Sequence, residues 1–281
     1  MHIVLFFFAC HTFFASRSMV DSPKKYTYDA ESIHTDPDSF VSVVSVNLWF
    51  SKDVEQLFAD IEKEHPDVDI FLLQEATGTS EQENAVIHLA KRLGYYAVFT
   101  PFINHPNGNV EFGTAIVSRW KLENPQGVIL PNEHLIWGSQ RMATYAIVQH
   151  PHRDIHVMSV HLETIYANWS QDKAREEQIS FIFDFIRQQG NQEDWKIVGG
   201  DLNSFFEANN QMVEHQIQNH GFFELTNNIP VTFEGLWDMK LDYLFFNRRD
   251  VQIETGAITT CSASDHVPLW TRISLESLQI K

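Results

Sequence analysis

Short apolar runs alternate with amphipathic segments along most of this chain, and this alternation constrains the fold more than any other feature. The runs have the length and the β-branched content of buried strands. Between them apolar residues recur at helical spacing, as in the set Val54, Leu57, Phe58 and Ile61. The pattern predicts an α/β or α+β fold built of layers. The predicted strands are 41–48, 69–74, 97–100, 114–118, 143–148, 155–161, 195–199, 241–246 and 267–273.

The amino-terminal segment resembles a secretory signal peptide. An apolar stretch from Ile3 to Phe14 is followed by small residues, and it is shorter than the roughly 20 residues that a membrane-spanning helix needs. We therefore expect residues 1–18 to be a signal peptide or leader and the protein to be secreted or periplasmic. A true start at Met19 would make it cytoplasmic, and an uncleaved amphipathic anchor is the third alternative.

The rest of the chain predicts one domain. Residues 19–40 are polar and indicate a leader, whereas 41–281 contain no repeat, low-complexity tract or linker. The chain carries 20 Lys and Arg against 37 Asp and Glu, a net charge of −17. Such a charge disfavours a sequence-blind DNA coat protein, because neutralising phosphates needs clustered basic residues. Two cysteines are too few for a disulfide framework or a cysteine zinc site.

Polar residues suited to metal and phosphate chemistry follow the apolar runs, at positions where loops present side chains to a ligand. Each one alone is more typical of a helix cap or a solvated turn. Taken in chain order they are Asn47, Gln74, Glu75, His161, Glu163, Asp201, Asn203, Asp242, Ser264, Asp265 and His266.

Together, this series resembles the endonuclease/exonuclease/phosphatase superfamily with the DNase I-like fold. The matching motifs are the Asn47 strand end, QE at 74–75, the His161 strand end, GDLN at 200–203, DY at 242–243 and SDH at 264–266. GTAIVSR at 113–119 resembles a further strand of the family. The resemblance implies a four-layer sandwich, in which two mixed β-sheets are flanked by helices, with the site at one edge.

The donor set indicates the metal, and the resemblance implies the catalytic roles. Carboxylate and amide oxygens without thiolates favour Mg²⁺, with Mn²⁺ second and zinc disfavoured. Glu75 is the best candidate ligand, while Asn47 and Asp265 would contribute to the same metal site. The predicted catalytic residues are His161, Asp201, Asn203, Asp242 and His266.

Within that set, the resemblance implies acid/base work for His266, oriented by Asp242, and handling of the nucleophilic water by Asp201. Asn203 and His161 would donate hydrogen bonds to the pentavalent phosphate. The sequence leaves open whether Asp201 or His266 is the general base.

Aromatic and basic residues near the motifs bear on the substrate. Trp49 and Trp237 are candidate substrate contacts, since such rings stack on nucleobases or enter a lipid interface. Arg141 would clamp a phosphate or else pair with an acidic side chain. Glu163 would support His161 or cap the next turn.

The leading functional hypothesis is a Mg²⁺-dependent phosphodiester hydrolase acting on nucleic-acid ends or short strands. The HLET and WDMKLDYLFF segments are similar to bacterial relatives of tyrosyl-DNA phosphodiesterases. A secreted sphingomyelinase-type enzyme is the second hypothesis, an inositol-phosphate phosphatase the third, and a catalytically dead binding module the fourth. We expect a monomer with a nucleic-acid or phospholipid substrate and no protein partner.

Overall fold

Two β-sheets form the centre of the protein in a computed structural model that describes residues 25–31, 39–78, 84–104, 111–133, 140–163, 170–204, 214–235 and 238–277. The strands are β1 (Tyr26–Tyr28), β2 (Phe40–Asn47), β3 (Ile70–Gly78), β4 (Tyr96–Asn104), β5 (Glu111–Ser118), β6 (Leu122–Glu133), β7 (Gln140–His150), β8 (Arg153–His161), β9 (Trp195–Asp201), β10 (Phe223–Glu224), β11 (Asp242–Phe246), β12 (Val251–Ala257) and β13 (Leu269–Ser277). The long helices are α1 (Val54–Glu64), α2 (Ala85–Leu93) and α3 (Ser170–Gln188).

The strand order makes both sheets mixed. The first sheet runs β1-β4-β5-β3-β2-β13-β12 and the second β10-β11-β9-β8-β7-β6. Only the pairs β2/β3 and β8/β9 are parallel among the described ladders, and each is central in its sheet. The carboxyl ends of these four strands therefore point to the same edge of their sheets, where loops can carry a site.

The layers follow from where the apolar side chains lie. Val43 and Leu72 of the first sheet pack against Val157 and Ile197 of the second, which fills the space between the sheets. Leu57, Phe58 and Ile61 of α1 cover the outer face of the first sheet together with α2. Ile179, Ile182, Phe183 and Ile186 of α3 cover the second. The predicted four-layer sandwich and the helical periodicities are confirmed.

The sheets extend beyond the predicted strands. β1 lies inside the expected polar leader, yet Tyr26 is buried and stacks on Phe99 with ring centroids 6.0 Å apart. The ordered sheet thus includes residues ahead of Val41. Tyr and Thr favour strands, but a run of three residues is too short to predict one. β6 and β12 were also missed, because both lie at sheet edges and carry many polar or half-exposed residues.

The predicted signal peptide at 1–18 lies outside the described residues. Among the helices of the described part, none is long and apolar enough to span a membrane.

Candidate active site

Strand register places three of the predicted site residues side by side, and a fourth ends a strand of the other sheet. Asn47 ends β2, opposite Gln74 of the parallel strand β3. In the second sheet Asp201 of β9 has His161 of β8 as its partner on one side and Asp242 of β11 on the other. Asn47, His161, Asp201 and Asp242 are all at most 3% exposed. The carboxyl ends of strands from both sheets therefore build one buried polar cluster.

A β-bulge directs Glu75 into this cluster. The pairing of β3 with β5 slips between Leu73 and Ala76, and Glu75 has a φ of 51°. A bulge turns a side chain away from the regular alternation, and a positive φ at a non-glycine residue is sparsely populated. Glu75 Oε1 consequently lies 4.0 Å from His161 Nε2. Gln74 faces the other sheet instead, where its Nε2 donates to Ser159 Oγ at 3.0 Å.

The GDLN segment is fixed by close backbone contacts. Gly200 has a φ of 148°, and a Cβ there would lie 1.9 Å from the Val160 carbonyl oxygen, so no larger residue fits. Asn203 also has a positive φ, 50°, and its backbone N–H donates to Asp201 Oδ1 at 2.8 Å. Its Nδ2 donates to the Leu162 carbonyl at 3.0 Å, which leaves one N–H of that amide for a ligand.

Asp201 is the centre of the arrangement. Its Oδ2 accepts a hydrogen bond from Asn47 Nδ2 at 3.2 Å and lies 3.6 Å from His161 Nε2 and 3.8 Å from His266 Nε2. Burial, opposed by the charge of His266 and aided by that of Asp242, raises the pKa of Asp201 to about 7. A carboxylate with such a pKa is poised to accept a proton near neutral pH.

His266 is held as a cation by Asp242. Its Nδ1 lies 2.7 Å from Asp242 Oδ2, and the Asp242 backbone N–H donates to Thr232 Oγ1 at 2.9 Å. Burial alone would lower the pKa of His266, but the charge and hydrogen bond of Asp242 dominate and raise it to about 10. The imidazolium therefore presents Nε2–H toward Asp201.

Ser264 ties the SDH segment to the first sheet, a role the sequence did not reveal. Its Oγ donates to the Asn47 carbonyl at 2.8 Å and accepts from the His266 backbone N–H at 3.1 Å. The loop that carries Asp265 and His266 is thus attached to the end of β2. The only sequence signal was the position of Ser264 in the motif.

A sequence model of the endonuclease/exonuclease/phosphatase family matches residues 44–266, a span that includes every residue of this cluster. The chain belongs to the endonuclease/exonuclease/phosphatase family. Members of this family are hydrolases of phosphate esters. No curated protein matches the chain.

Solved structures share the fold at low sequence identity. An endonuclease/exonuclease/phosphatase from Beutenbergia cavernae is 18% identical with a TM-score of 0.69, over 86% of this chain and 73% of that one. Beta toxin from Staphylococcus aureus is 16% identical with a TM-score of 0.63, over 82% and 99%. A humanized D. rerio TDP2 is 16% identical with a TM-score of 0.60, over 84% and 100%. At these identities the likeness extends to the fold alone.

Family members commonly use a divalent metal, and the residues present fit one. In the described part of the chain, Glu75 Oε2 and Asp265 Oδ1 are buried without a hydrogen-bond partner. Burial raises the pKa of Glu75 and of Asp265, and each is subject to further carboxylate repulsion. A hard cation would remove this repulsion and use the free oxygens. The predicted ligands Glu75, Asp265 and Asn47 therefore offer oxygen donors that suit a divalent cation.

Asp201, Asp242 and His266 form a second group of possible ligands, with atoms within 4.8 Å of one another. The 2.7 Å contact between His266 Nδ1 and Asp242 Oδ2 holds a proton between these atoms. A metal would need the lone pairs of both, so this group fits acid/base work better than metal binding.

The remaining predicted residues are Trp49, Trp237 and Arg141. Trp49 lies in a left-handed turn, Trp49–Ser51, where its backbone N–H donates to Asn47 Oδ1 at 3.0 Å. Lys52, which no sequence motif marks, lies with Nζ 3.6 Å from the Trp49 ring centroid. Trp237 lies outside the described residues. Arg141 is buried at 6% exposure and contacts His161 and Glu163, so it pairs within the site wall.

Proposed function

We propose that this protein is a divalent-metal-dependent phosphodiester hydrolase that acts on nucleic acid, at DNA ends or short strands, by in-line attack of an activated water. The observation that carries the proposal is the position of Asp201 Oδ2, within 4 Å of Asn47, His161 and His266, in a carboxylate close enough to Glu75 for the charge of Glu75 to raise the pKa of Asp201. Such a site combines a base, an acid and a cation-binding edge, which is what hydrolysis of an anionic diester requires.

The protonation state of each residue decides its role in the reaction. Ionised Asp201 orients the attacking water and accepts its proton. His266, charged and oriented by Asp242, donates through Nε2 to a phosphate oxygen as negative charge develops. Asn203 and His161 donate further hydrogen bonds to the same phosphate. A divalent ion held by Glu75, Asn47 and Asp265 would neutralise charge on the phosphate and the leaving oxygen.

The rim of the site supports a nucleic-acid substrate. Trp49 offers an aromatic face next to the metal edge, and the charge of Lys52 is close enough to lower the pKa of Asp265 against the effect of burial. An aromatic ring and a lysine are what a base and its neighbouring phosphate need. The net charge of −17 disfavours a long duplex footprint and favours short strands or ends.

Hydrolysis of a sphingomyelin-type lipid is the second candidate, because residues 1–18 have the pattern of an export signal. The described surface gives it less support. Among the described residues Phe181, on α3, is the only exposed large apolar side chain. Entry into a lipid interface needs a cluster of such side chains.

A substrate panel tests the proposal. Residues 20–281 with Mg²⁺ are expected to cleave a single-stranded oligonucleotide or a 5′-tyrosyl oligonucleotide faster than long duplex DNA and sphingomyelin vesicles. Product formation is measured by electrophoresis or choline release, with Asp201→Asn purified in parallel to detect a contaminating nuclease. Cleavage of sphingomyelin alone would overturn the nucleic-acid assignment while keeping the reaction class. Cleavage of no substrate would overturn both.

The dependence of activity on pH follows from the two shifted groups. Asp201 must be ionised and burial raises its pKa to about 7, so kcat/KM should rise as the pH increases through about 7. His266 must be protonated, and Asp242 raises its pKa to about 10 despite burial, so kcat/KM should fall as the pH passes about 10. The check is kcat/KM with saturating Mg²⁺ between about pH 5 and about pH 11. A flat profile would contradict these roles.

A further inference from the structure

Arg141 is a buried cation beside His161. It lies in β7, and its guanidinium carbon is 5.1 Å from the centroid of the Phe102 ring. Arg141 Nη1 is 3.4 Å from His161 Nδ1, and Nη2 is 3.6 Å from Glu163 Oε1. The guanidinium thus joins the carboxylate of Glu163 to the ring of His161, on the side away from Asp201.

The chemistry of arginine decides what this contact means for the imidazole. A guanidinium is always charged in proteins and has N–H donors but no acceptor. The Nδ1 atom of His161 must therefore accept the hydrogen bond from Nη1 through its lone pair. The proton of the ring is then on Nε2, the atom that lies 3.6 Å from Asp201 Oδ2 and 4.0 Å from Glu75 Oε1.

We propose that Arg141, held by Glu163, is a positioning residue that fixes the ring orientation of His161 and keeps an N–H on its Nε2 atom. His161 then donates a hydrogen bond through Nε2 to the substrate phosphate. The inference rests on the proposed phosphodiesterase function for its catalytic consequence, although the tautomer itself can be measured without substrate.

The two imidazoles beside Asp201 are thereby held in different ways. The Nδ1 of His266 donates to the carboxylate of Asp242, whereas the Nδ1 of His161 accepts from the guanidinium of Arg141. Both rings then present an N–H on Nε2 to the site, one oriented by a carboxylate and the other by an arginine. Glu163, left open by the sequence between supporting His161 and capping a turn, acts on His161 through Arg141.

A direct phosphate clamp is the competing role for Arg141, and its removal would have a different effect on the kinetics. The Nε of Arg141 is buried and has no hydrogen-bond partner in the part of the chain that the structure describes, so a clamp would use this atom. Removing a clamp weakens substrate binding and raises KM. Removing a positioning residue lowers kcat and leaves binding nearly unchanged.

The test combines nitrogen NMR of histidine-labelled, metal-free protein with steady-state kinetics of the Mg²⁺-loaded enzyme. The variants are Arg141→Met and Glu163→Gln, and His161→Gln assigns the His161 signals. Arg153→Met is the matched control, because Arg153 also packs on an aromatic ring, Trp195, at 4.1 Å. It lies at the opposite end of β8, eight residues and about 26 Å from His161.

In the wild type we expect one high and one low nitrogen shift for His161, the signature of a neutral ring with one protonated nitrogen. Arg141→Met should change this signature and lower kcat by roughly 10–100-fold, with KM changed by less than about twofold. Glu163→Gln should change the His161 nitrogen shifts and kcat in the same direction but by less. Arg153→Met should change neither the nitrogen shifts nor kcat.

Two results would overturn the proposal: a His161 signature that is the same in Arg141→Met and wild type, or an effect mainly on KM. If Arg141→Met does not fold, the His161 nitrogen shifts and the kinetic constants of Glu163→Gln decide whether the proposal holds. If the wild type hydrolyses no substrate, the proposed function fails, yet the NMR signature still supports or refutes the tautomer assignment.

Discussion

Replacing Asp201 with asparagine is expected to lower kcat by about 10²–10⁴-fold, because the variant loses the general base. Asparagine has nearly the shape of aspartate, and its oxygen can still accept the Asn203 backbone N–H that Asp201 Oδ1 accepts at 2.8 Å. The amide cannot take a proton from water. The measurement is single-turnover hydrolysis of an oligonucleotide with saturating Mg²⁺, which separates chemistry from product release.

The melting temperature distinguishes lost chemistry from lost folding. Burial raises the folded-state pKa of Asp201 to about 7, above its unfolded value of 3.8. The stabilisation linked to this group is therefore present below about pH 4 and is lost as the pH rises through about 7. Asparagine does not titrate. In metal-free protein, the melting temperature of Asp201→Asn relative to wild type should therefore rise between about pH 5 and about pH 8.

One local contact opposes this gain in the melting temperature of Asp201→Asn. The amide nitrogen that Asp201→Asn introduces would face Asn47 Nδ2, which in the wild type donates to Asp201 Oδ2 at 3.2 Å. Two donors in contact leave one hydrogen bond unmade, at about 1 kcal/mol. Asp184→Asn, at an exposed position of α3, is the matched control and should leave activity unchanged. A variant at Asp201 that keeps more than about a tenth of the wild-type kcat would refute the role of Asp201.

The sequence predicted those parts of the structure in which burial produces a regular pattern. The central strands read as apolar runs because both faces are covered, and α1 and α3 read as helices because one face packs on a sheet. The order of motifs placed the site at strand ends. β1 and β6 lie at sheet edges, where side chains are partly solvated and the pattern is weak.

The geometry of the site depends on features that have no sequence pattern. Residue types identified Glu75 as a ligand candidate, but the bulge that turns it toward His161 depends on pairing between β3 and β5. The sequence offered Arg141 two roles, and the contacts of its guanidinium with His161 and Glu163 join residues 20 and 22 positions apart in the chain. Contacts between residues far apart in the chain decide both cases.

Removal of divalent metal is expected to abolish hydrolysis, and added Mg²⁺ should restore it, with Mn²⁺ as the second choice. Several carboxylates meet at this edge, and their ionised forms repel an anionic phosphate when no cation is bound. Burial and neighbouring carboxylates raise the pKa of Glu75 and of Asp265, which shows that the charged forms are unfavourable there without a cation. The measurement is turnover after EDTA treatment, followed by titration with Mg²⁺. Full activity after chelation would contradict a metal mechanism.

Glu75→Gln tests the position of that metal by turnover and, independently of activity, by the melting temperature. Removing one charged ligand from a hard-cation site should raise the Mg²⁺ concentration for half-maximal turnover at least about tenfold. Bound ligand stabilises the folded state, so saturating Mg²⁺ should raise the wild-type melting temperature and raise that of Glu75→Gln much less. Glu62→Gln, which removes a half-exposed carboxylate paired with Arg92, is the control and should keep the full shift. Equal shifts in wild type and Glu75→Gln would exclude Glu75 as a ligand and direct attention to Asp201, Asp242 and His266, the alternative metal-binding group.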